Sequence, residues 1–305
     1  PYNDALPILW PALRANLLLP LNEGYKFEHS PEQLQTARYR FLHDRVQQAA
    51  HELTPAGERP ALRLHCGRLL LAACNEAELE ERLFIILESL NAAIELMTDP
   101  AERARLLALN LRGGIRAKSS AAYTAAVELL RQGESLLPPD AWQQQPELAL
   151  TVYKNLAEAE YLAGHFDVAE QRLVRLIAQA PAVAAKVTLC LALVELLHLR
   201  GRFADAFVVL CRALALLGRD FPESEEEAMQ CYLAEFAETE ATLAAQDEAA
   251  LLTQSEMRDP ERLLEMQVYY GLAYATYQIN RGISYVLGAC RMVKTTLAHG
   301  QCGLS

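Results

Sequence analysis

From Pro60 onward the apolar residues recur three and four positions apart almost without a break, which is the period that lines one side of an α-helix. Alternating, strand-like runs are scarce. Over 61–73 the positions Leu62, Leu69, Leu70 and Ala73 predict one helical stripe. A second runs from Ala77 through Leu83, Ile86, Leu87, Leu90 and Ile94 to Met97; Thr98-Asp99-Pro100 then reads as a stop and a fresh helix start. The first sixty residues differ. A short helical stretch around Trp10-Pro11-Ala12-Leu13 leads into the apolar run Leu17–Leu21 and Gly24. Past Ser30-Pro31, the segment Arg38–Leu42 alternates like a short strand, before a helix from about Asp44 to Leu53 closed by Pro55.

Within the helical part the pattern repeats. Gly164, Phe166, Ala169 and Leu173 return 37 residues later as Gly201, Phe203, Ala206 and Leu210. Tyr123, Ala126 and Leu130 carry the same aromatic–Ala–Leu spacing 43 residues before Phe166, with Gly114 the nearest upstream glycine. Pro138 and Pro181 each lie fifteen residues beyond their aromatic. Glycine adopts positive φ at little cost and suits a tight turn between antiparallel helices. The aromatic opens the second helix, the alanine lets the pair approach closely, and the proline ends one pair and starts the next. A further helix over about 223–245 leads to another pair near 260–277 and 282–298, where the signature fades. The predicted fold is mainly α, an α-solenoid of degenerate helical hairpins.

The unit resembles the tetratricopeptide repeat, most closely at Gly164/Phe166/Ala169/Leu173/Pro181 and Gly201/Phe203/Ala206/Leu210, less so at Gly114/Tyr123/Ala126/Leu130/Pro138. Glu160 and Leu197 stand where that family often has an aromatic late in the first helix. The helix, strand, loop, strand, helix order before Pro55 is compatible with the remainder of a winged-helix domain. The expected organisation is a winged-helix remnant over 1–56, a helical connector or atypical first repeat over 57–100, and repeats over 101–305.

Charge narrows the partners. The net charge is −11, and the stretch from Asp220 to Arg262 alone holds thirteen Asp and Glu against two Arg. A polyanion is repelled there and no basic stripe compensates elsewhere, so no nucleic acid is expected. Seven widely spaced cysteines suggest no disulfide framework and point to a reducing, cytoplasmic setting. The longest uncharged stretch, Met266 to Asn280, has fifteen residues, short of the roughly 20 that span a bilayer, so no membrane insertion is expected. Pro1 in place of a methionine, and an end soon after an apparent helix, suggest a piece of a longer protein.

Motifs for chemistry are sparse. None of the five lysines follows a glycine, so a Walker-type phosphate loop is lacking. No two cysteines stand at metal-ligand spacing; His51-Glu52 begins like a zinc-protease motif, but Pro55 takes the second histidine's place. His65, Cys66 and Cys74 come nearest to a cluster, and helix packing explains them better than a metal. Gly282-Ile283-Ser284 lacks the second glycine of a nucleophile elbow and reads as a helix start. Glu225-Glu226-Glu227 reads as a solvated helix start. Tyr269, Tyr270, Tyr274, Tyr277 and Tyr285 read first as inter-helix packing and second as a ligand or partner surface.

The run Tyr39-Arg40-Phe41-Leu42-His43-Asp44-Arg45-Val46 resembles the region after the ATPase core in large bacterial sensor proteins. These join a serine/threonine kinase-like domain, a STAND-class ATPase, tetratricopeptide-like repeats and a C-terminal GAF plus sensor histidine kinase. Glu81-Arg82-Leu83-Phe84, Asp99-Pro100-Ala101-Glu102, Leu111–Lys118 and Glu256–Glu261 are similar to the same family, whereas Asn16 and Ser89 depart from it. In such ATPases a Met-His-Asp-like motif touches bound ADP. By that resemblance His43 and Asp44 are nucleotide-sensing candidates; the alternative is a histidine packing at a helix start. ATP or ADP and Mg²⁺ are expected only with the missing ATPase core, and no cofactor in this segment.

The function expected is a non-catalytic regulatory scaffold for signal transduction, binding a protein segment or effector and coupling it to neighbouring ATPase and kinase domains. First-helix side chains line the concave face of such arrays. By register these are Lys118, Thr151, Lys154, Glu158, Tyr161, Thr188, Glu195 and His198. The alternative is a small-molecule sensor with a pocket between helices.

Overall fold

The computed structural model describes residues 2–21, 39–245 and 254–304. Fourteen α-helices account for most of them, and the strands among the described residues amount to one short pair. No helix among the described residues is long and apolar enough to cross a membrane. The chain divides into two compact units, Pro1–Thr98 and Asp99–Ser305.

In the first unit, α1 (Tyr2–Arg14) ends at Asn16, whose φ of 53° turns the chain while the Leu17 amide donates to the Ala12 carbonyl at 2.9 Å. Strand β1 (Leu18–Pro20) pairs antiparallel with β2 (Tyr39–Phe41), Leu18 opposite Phe41, and α2 (Asp44–Leu53) follows. Gly24, Ser30, Pro31 and Arg38 lie outside the described residues. Helices α3 (Arg59–Ala73) and α4 (Glu76–Asn91) pack together. Helix α4 starts with a capping box: the Glu78 amide donates to Asn75 Oδ1 at 2.9 Å, and the Asn75 amide to Glu78 Oε2 at 3.1 Å. It buries Leu83, Ile86, Leu87 and Leu90 as its periodicity predicts.

The stripe expected for α3 is wrong. Leu62 and Leu69 are exposed, and the buried positions are Leu64 and Gly67. A Cβ on Gly67 would come within 2.5 Å of Leu90 Cδ2, so the partner helix seats against the glycine and rotates the leucines outward. The same rotation leaves His65 and Cys66 exposed rather than packed, with Cys74 half-buried.

The second unit is a succession of helical hairpins. Helix α5 (Pro100–Ser119) pairs with α6 (Tyr123–Leu136), and after the single turn α7 (Ala141–Gln144), α8 (Pro146–Leu162) pairs with α9 (Phe166–Gln179). Next, α10 (Val183–Leu199) pairs with α11 (Phe203–Leu216); α12 (Glu225–Ala244) precedes the pair α13 (Pro260–Gln278) and α14 (Gly282–His299). The second helix of each hairpin packs on the first helix of the next, and the first helices α5, α8, α10 and α13 are neighbours in that order. Ala126, Ala169 and Ala206 are fully buried, as are Leu130, Leu173 and Leu210.

All four hairpins turn in the same way. Ala121, Gly164, Gly201 and Asn280 have φ of 57°, 87°, 69° and 57°. The residue after each donates its amide to a carbonyl five back: Ala122 to Ala117, His165 to Glu160, Arg202 to Leu197 and Arg281 to Thr276, at 2.8–2.9 Å. The glycine signature therefore marks two of the hinges; alanine and asparagine hold the other two. Gly114 is no hinge. It sits inside α5, where a Cβ would lie 2.5 Å from Leu130 Cγ, and so admits α6.

The 43-residue spacing also has a cause. The extra residues form α7, whose Trp142 ring lies 5.4 Å from that of Tyr153. Pro138 thus precedes α7, and Pro146 opens the next hairpin, while Pro181 stands in the short link before α10 as expected. Helix α12 is inserted before the last hairpin and packs along α14. Ser224 caps it, accepting from the Glu227 amide at 3.2 Å. Its Glu225 is not a purely solvated carboxylate: it accepts the Ile283 and Ser284 amides at 2.9 and 3.2 Å and so caps the start of α14. Burial alone would raise the Glu225 pKa, but these bonds, the Ser284 hydroxyl and Arg281 bring it below the ordinary carboxylate range.

Candidate functional site

Counting back from each left-handed hinge aligns the first helices. Three residues before it stand Lys118, Tyr161, His198 and Tyr277; six before it stand Ile115, Glu158, Glu195 and Tyr274. Because these helices are neighbours, the positions form rows across one face of the second unit.

Four of the sequence candidates meet there. Lys118 Nζ lies 2.5 Å from Glu158 Oε2 and 2.7 Å from Asn155 Oδ1, and Lys154 Nζ is 3.7 Å from Glu158 Oε1. Glu158 therefore serves both lysines. Glu195, its counterpart on α10, has no ion pair within 4 Å among the described residues and keeps a face to solvent. Its carboxyl pKa is nonetheless raised, first because the surrounding helices thin out its water; Lys154 and Lys118 pull the pKa down, and Glu158 pushes it up. Thr151 and Thr188 hydroxyls donate to their own helices, to the Glu147 and Ala184 carbonyls at 2.7 and 2.9 Å.

The row three before the hinge is more enclosed. Tyr161 is buried with its ring 4.8 Å from Phe166, so it secures a hairpin turn rather than lining an open face. His198 sits between Phe203, at 5.6 Å, and Tyr274 of the next first helix, at 4.9 Å. Its Nε2 is buried without a hydrogen-bond partner, and burial lowers its pKa, which keeps the ring neutral. The face continues onto α13, where Tyr270, Tyr274 and Tyr277 are 59%, 48% and 72% exposed. The packing reading of the tyrosine stretch thus holds for Tyr269, buried with its hydroxyl pKa pushed up to about 12. It holds in part for the half-exposed Tyr274, whose ring meets His198 and Phe203, and for Tyr277 and Tyr285, whose rings lie 6.4 Å apart; it is corrected for Tyr270, which faces solvent. His43 and Asp44 lie in the first unit, exposed at the start of α2.

One cluster was not foreseen. Glu160, fully buried, is 2.8 Å from Arg172 Nε and 2.9 Å from Arg131 Nη2, and Arg172 also pairs with Glu134. Burial would raise the Glu160 pKa, but hydrogen bonds from Arg172 and Arg131 hold it below the usual range. The available signal was an acid in an apolar stripe, at a position where an aromatic is usual.

Among known proteins, the chain is similar to Hybrid signal transduction histidine kinase G of Dictyostelium discoideum, with 28% identity over 168 residues. That alignment takes in 47% of this chain and 5% of the slime-mould protein's length. No protein-family model matches the chain. No solved structure matches it.

Proposed function

We propose that this chain is a non-catalytic regulatory scaffold of a signalling protein, and that its row of first helices binds a protein segment or effector. The observation that carries this is the unequal pairing on that face. Glu158 binds two lysines, Glu195 is left without an ion pair, and exposed tyrosines continue the row. Groups already paired internally offer a ligand little, whereas an unpaired, partly desolvated carboxylate beside aromatic rings favours a cationic or hydrogen-bonding group.

The similarity to a signalling kinase supports the setting. The tetratricopeptide-like turns and the strand-bearing first unit support the reading as the winged-helix end and repeat region of a STAND-type ATPase linked to kinase domains. In that parent chain, ATP and Mg²⁺ belong to the ATPase core, with His43 and Asp44 facing the nucleotide.

The test is binding of segments from the neighbouring parent domains, displayed as a peptide array. A Lys154→Ala/Glu195→Ala/Tyr274→Ala variant is expected to lose captured segments by at least about tenfold in affinity, in keeping with loss of central contacts. Unchanged capture excludes this face. The alternative, a metabolite sensor, is favoured by a largely apolar cavity of about 320 Å³ against α14, lined by Met292, Val293, Leu297 and Leu304. A metabolite whose thermal shift is lost on Met292→Trp and kept in the triple variant would favour that reading.

A further inference from the structure

Helix α12 carries two stripes, and the fold uses one. On the inner one Ala228 and Thr239 are buried, Thr239 Oγ1 lying 3.4 Å from Cys290 Sγ of α14. Beside them Glu235 reaches Arg291 at 2.7 Å and Glu238 pairs with Lys294. The other stripe is Glu226, Met229, Leu233, Phe236, Glu240 and Leu243, spaced three and four residues apart in strict alternation. Its apolar members are 38%, 62%, 45% and 39% exposed in chain order. Single exposed hydrophobics are ordinary on a surface. Four on one seam, about 20 Å long, with the spacing by which helices interlock, are not.

The packing of α12 leaves this second stripe uncovered. Helices α8, α10 and α13 each pack on the second helix before them and are covered by a second helix of their own. Helix α12 departs from that pattern: it runs parallel to α14, with Glu225, Glu235 and Glu238 meeting Arg281, Arg291 and Lys294 in the same order, and among the described residues no further helix covers its outer side.

Charge indicates which helix fits. Helix α12 contains six glutamates and no lysine or arginine. Glu225, Glu235 and Glu238 are committed to Arg281, Arg291 and Lys294. Glu226, Glu227 and Glu240 are exposed and have no ion pair among the described residues, and two of them lie on the seam itself. A second copy of this chain would set one acidic helix against another and be repelled.

We infer that the outer seam of α12 docks an amphipathic α-helix of a partner protein that carries lysine or arginine beside its apolar stripe. This surface is separate from the first-helix face and does not depend on its function.

The probe is a labelled helical peptide of about 20 residues, leucine at alternating three- and four-residue spacing with lysine flanks, and its twin with glutamate flanks. Anisotropy is expected to show binding of the lysine peptide and not of the twin, weakening as salt is raised. Leu233→Ser/Phe236→Ser is expected to reduce that binding at least about tenfold, as for anchor residues at helix-in-groove interfaces. Glu226→Lys/Glu240→Lys, which leaves the apolar ridge intact, is expected to reverse the preference towards the glutamate twin. Binding that survives both variants, or equal binding of the two peptides, overturns the inference. So does sedimentation showing a dimer of this chain that the Leu233/Phe236 variant dissolves, since a second copy would then be the occupant.

Discussion

Glu158 and Glu160 lie two residues apart on α8 and therefore on different sides of it, and the regions they belong to are built to opposite ends. At Glu160 two arginines converge on one buried carboxylate, and Arg172 has Glu134 as well. Every charge there has a partner inside the fold. Across the helix, Glu158 serves two lysines while Glu195 is left over, and the face opens onto exposed tyrosines. A saturated network holds hairpins in register. An unsaturated one leaves at Glu195 a carboxylate that the fold itself does not pair.

The sharpest way to break the contrast is Glu160→Ala. It leaves Arg172 and Arg131 facing a buried gap, and is expected to cost about 3 kcal/mol of stability, read from the midpoint of urea unfolding. The pH dependence follows from the lowered pKa: the contribution of Glu160 is present above the unfolded value near 4.5 and is lost as pH falls through the folded one. Wild type should therefore lose more stability than Glu160→Ala on acidification below about pH 4.5. Equal acid sensitivity in both would show that ionised Glu160 stabilises the fold no more than its protonated form does.

Next in size come the hinges. Gly164→Ala puts a side chain at a φ of 87° and is expected to cost about 1–2 kcal/mol. Ala121→Gly at the equivalent turn is expected to gain about 0.5 kcal/mol, because it removes strain the native alanine carries. A loss in both would mean that the two turns are not equivalent.

The smallest expected effect is at Glu195. Its raised pKa means that the folded state holds the proton more firmly than the unfolded chain, so its contribution favours folding at low pH and declines as pH rises through the folded value. Glu195→Gln is accordingly expected to leave the melting temperature at pH 7 unchanged or slightly higher. A clear drop would mean that Glu195 is a structural group like Glu160.

Much of the second unit was legible in the chain because its signals are local. The aromatic–Ala–Leu stride placed α6, α9 and α11, and Thr98-Asp99-Pro100 marked the start of α5, where Asp99 Oδ1 accepts the Ala101 amide at 3.1 Å. Two hinges escaped because alanine and asparagine adopt a left-handed backbone only when the helices on either side demand it. The face of α3 escaped for a related reason: an apolar stripe says that a helix buries a side, and the partner seated at Gly67 decides which. At the first-helix face, repeat register located Lys118, Lys154, Glu158 and Glu195, but not that Glu158 would take both lysines or that Tyr161 would be buried.

By itself, then, the order of residues determined that this protein is helical, where most helices begin and end, and the period at which they pair, since those depend on contacts three or four residues apart. Which charges are neutralised and which remain open, and that α12 crosses to α14 and leaves a seam uncovered, only the tertiary structure decided. Such pairings join residues as much as 56 positions apart in the chain, and electrostatic satisfaction depends on which neighbours arrive in space rather than on which follow in sequence.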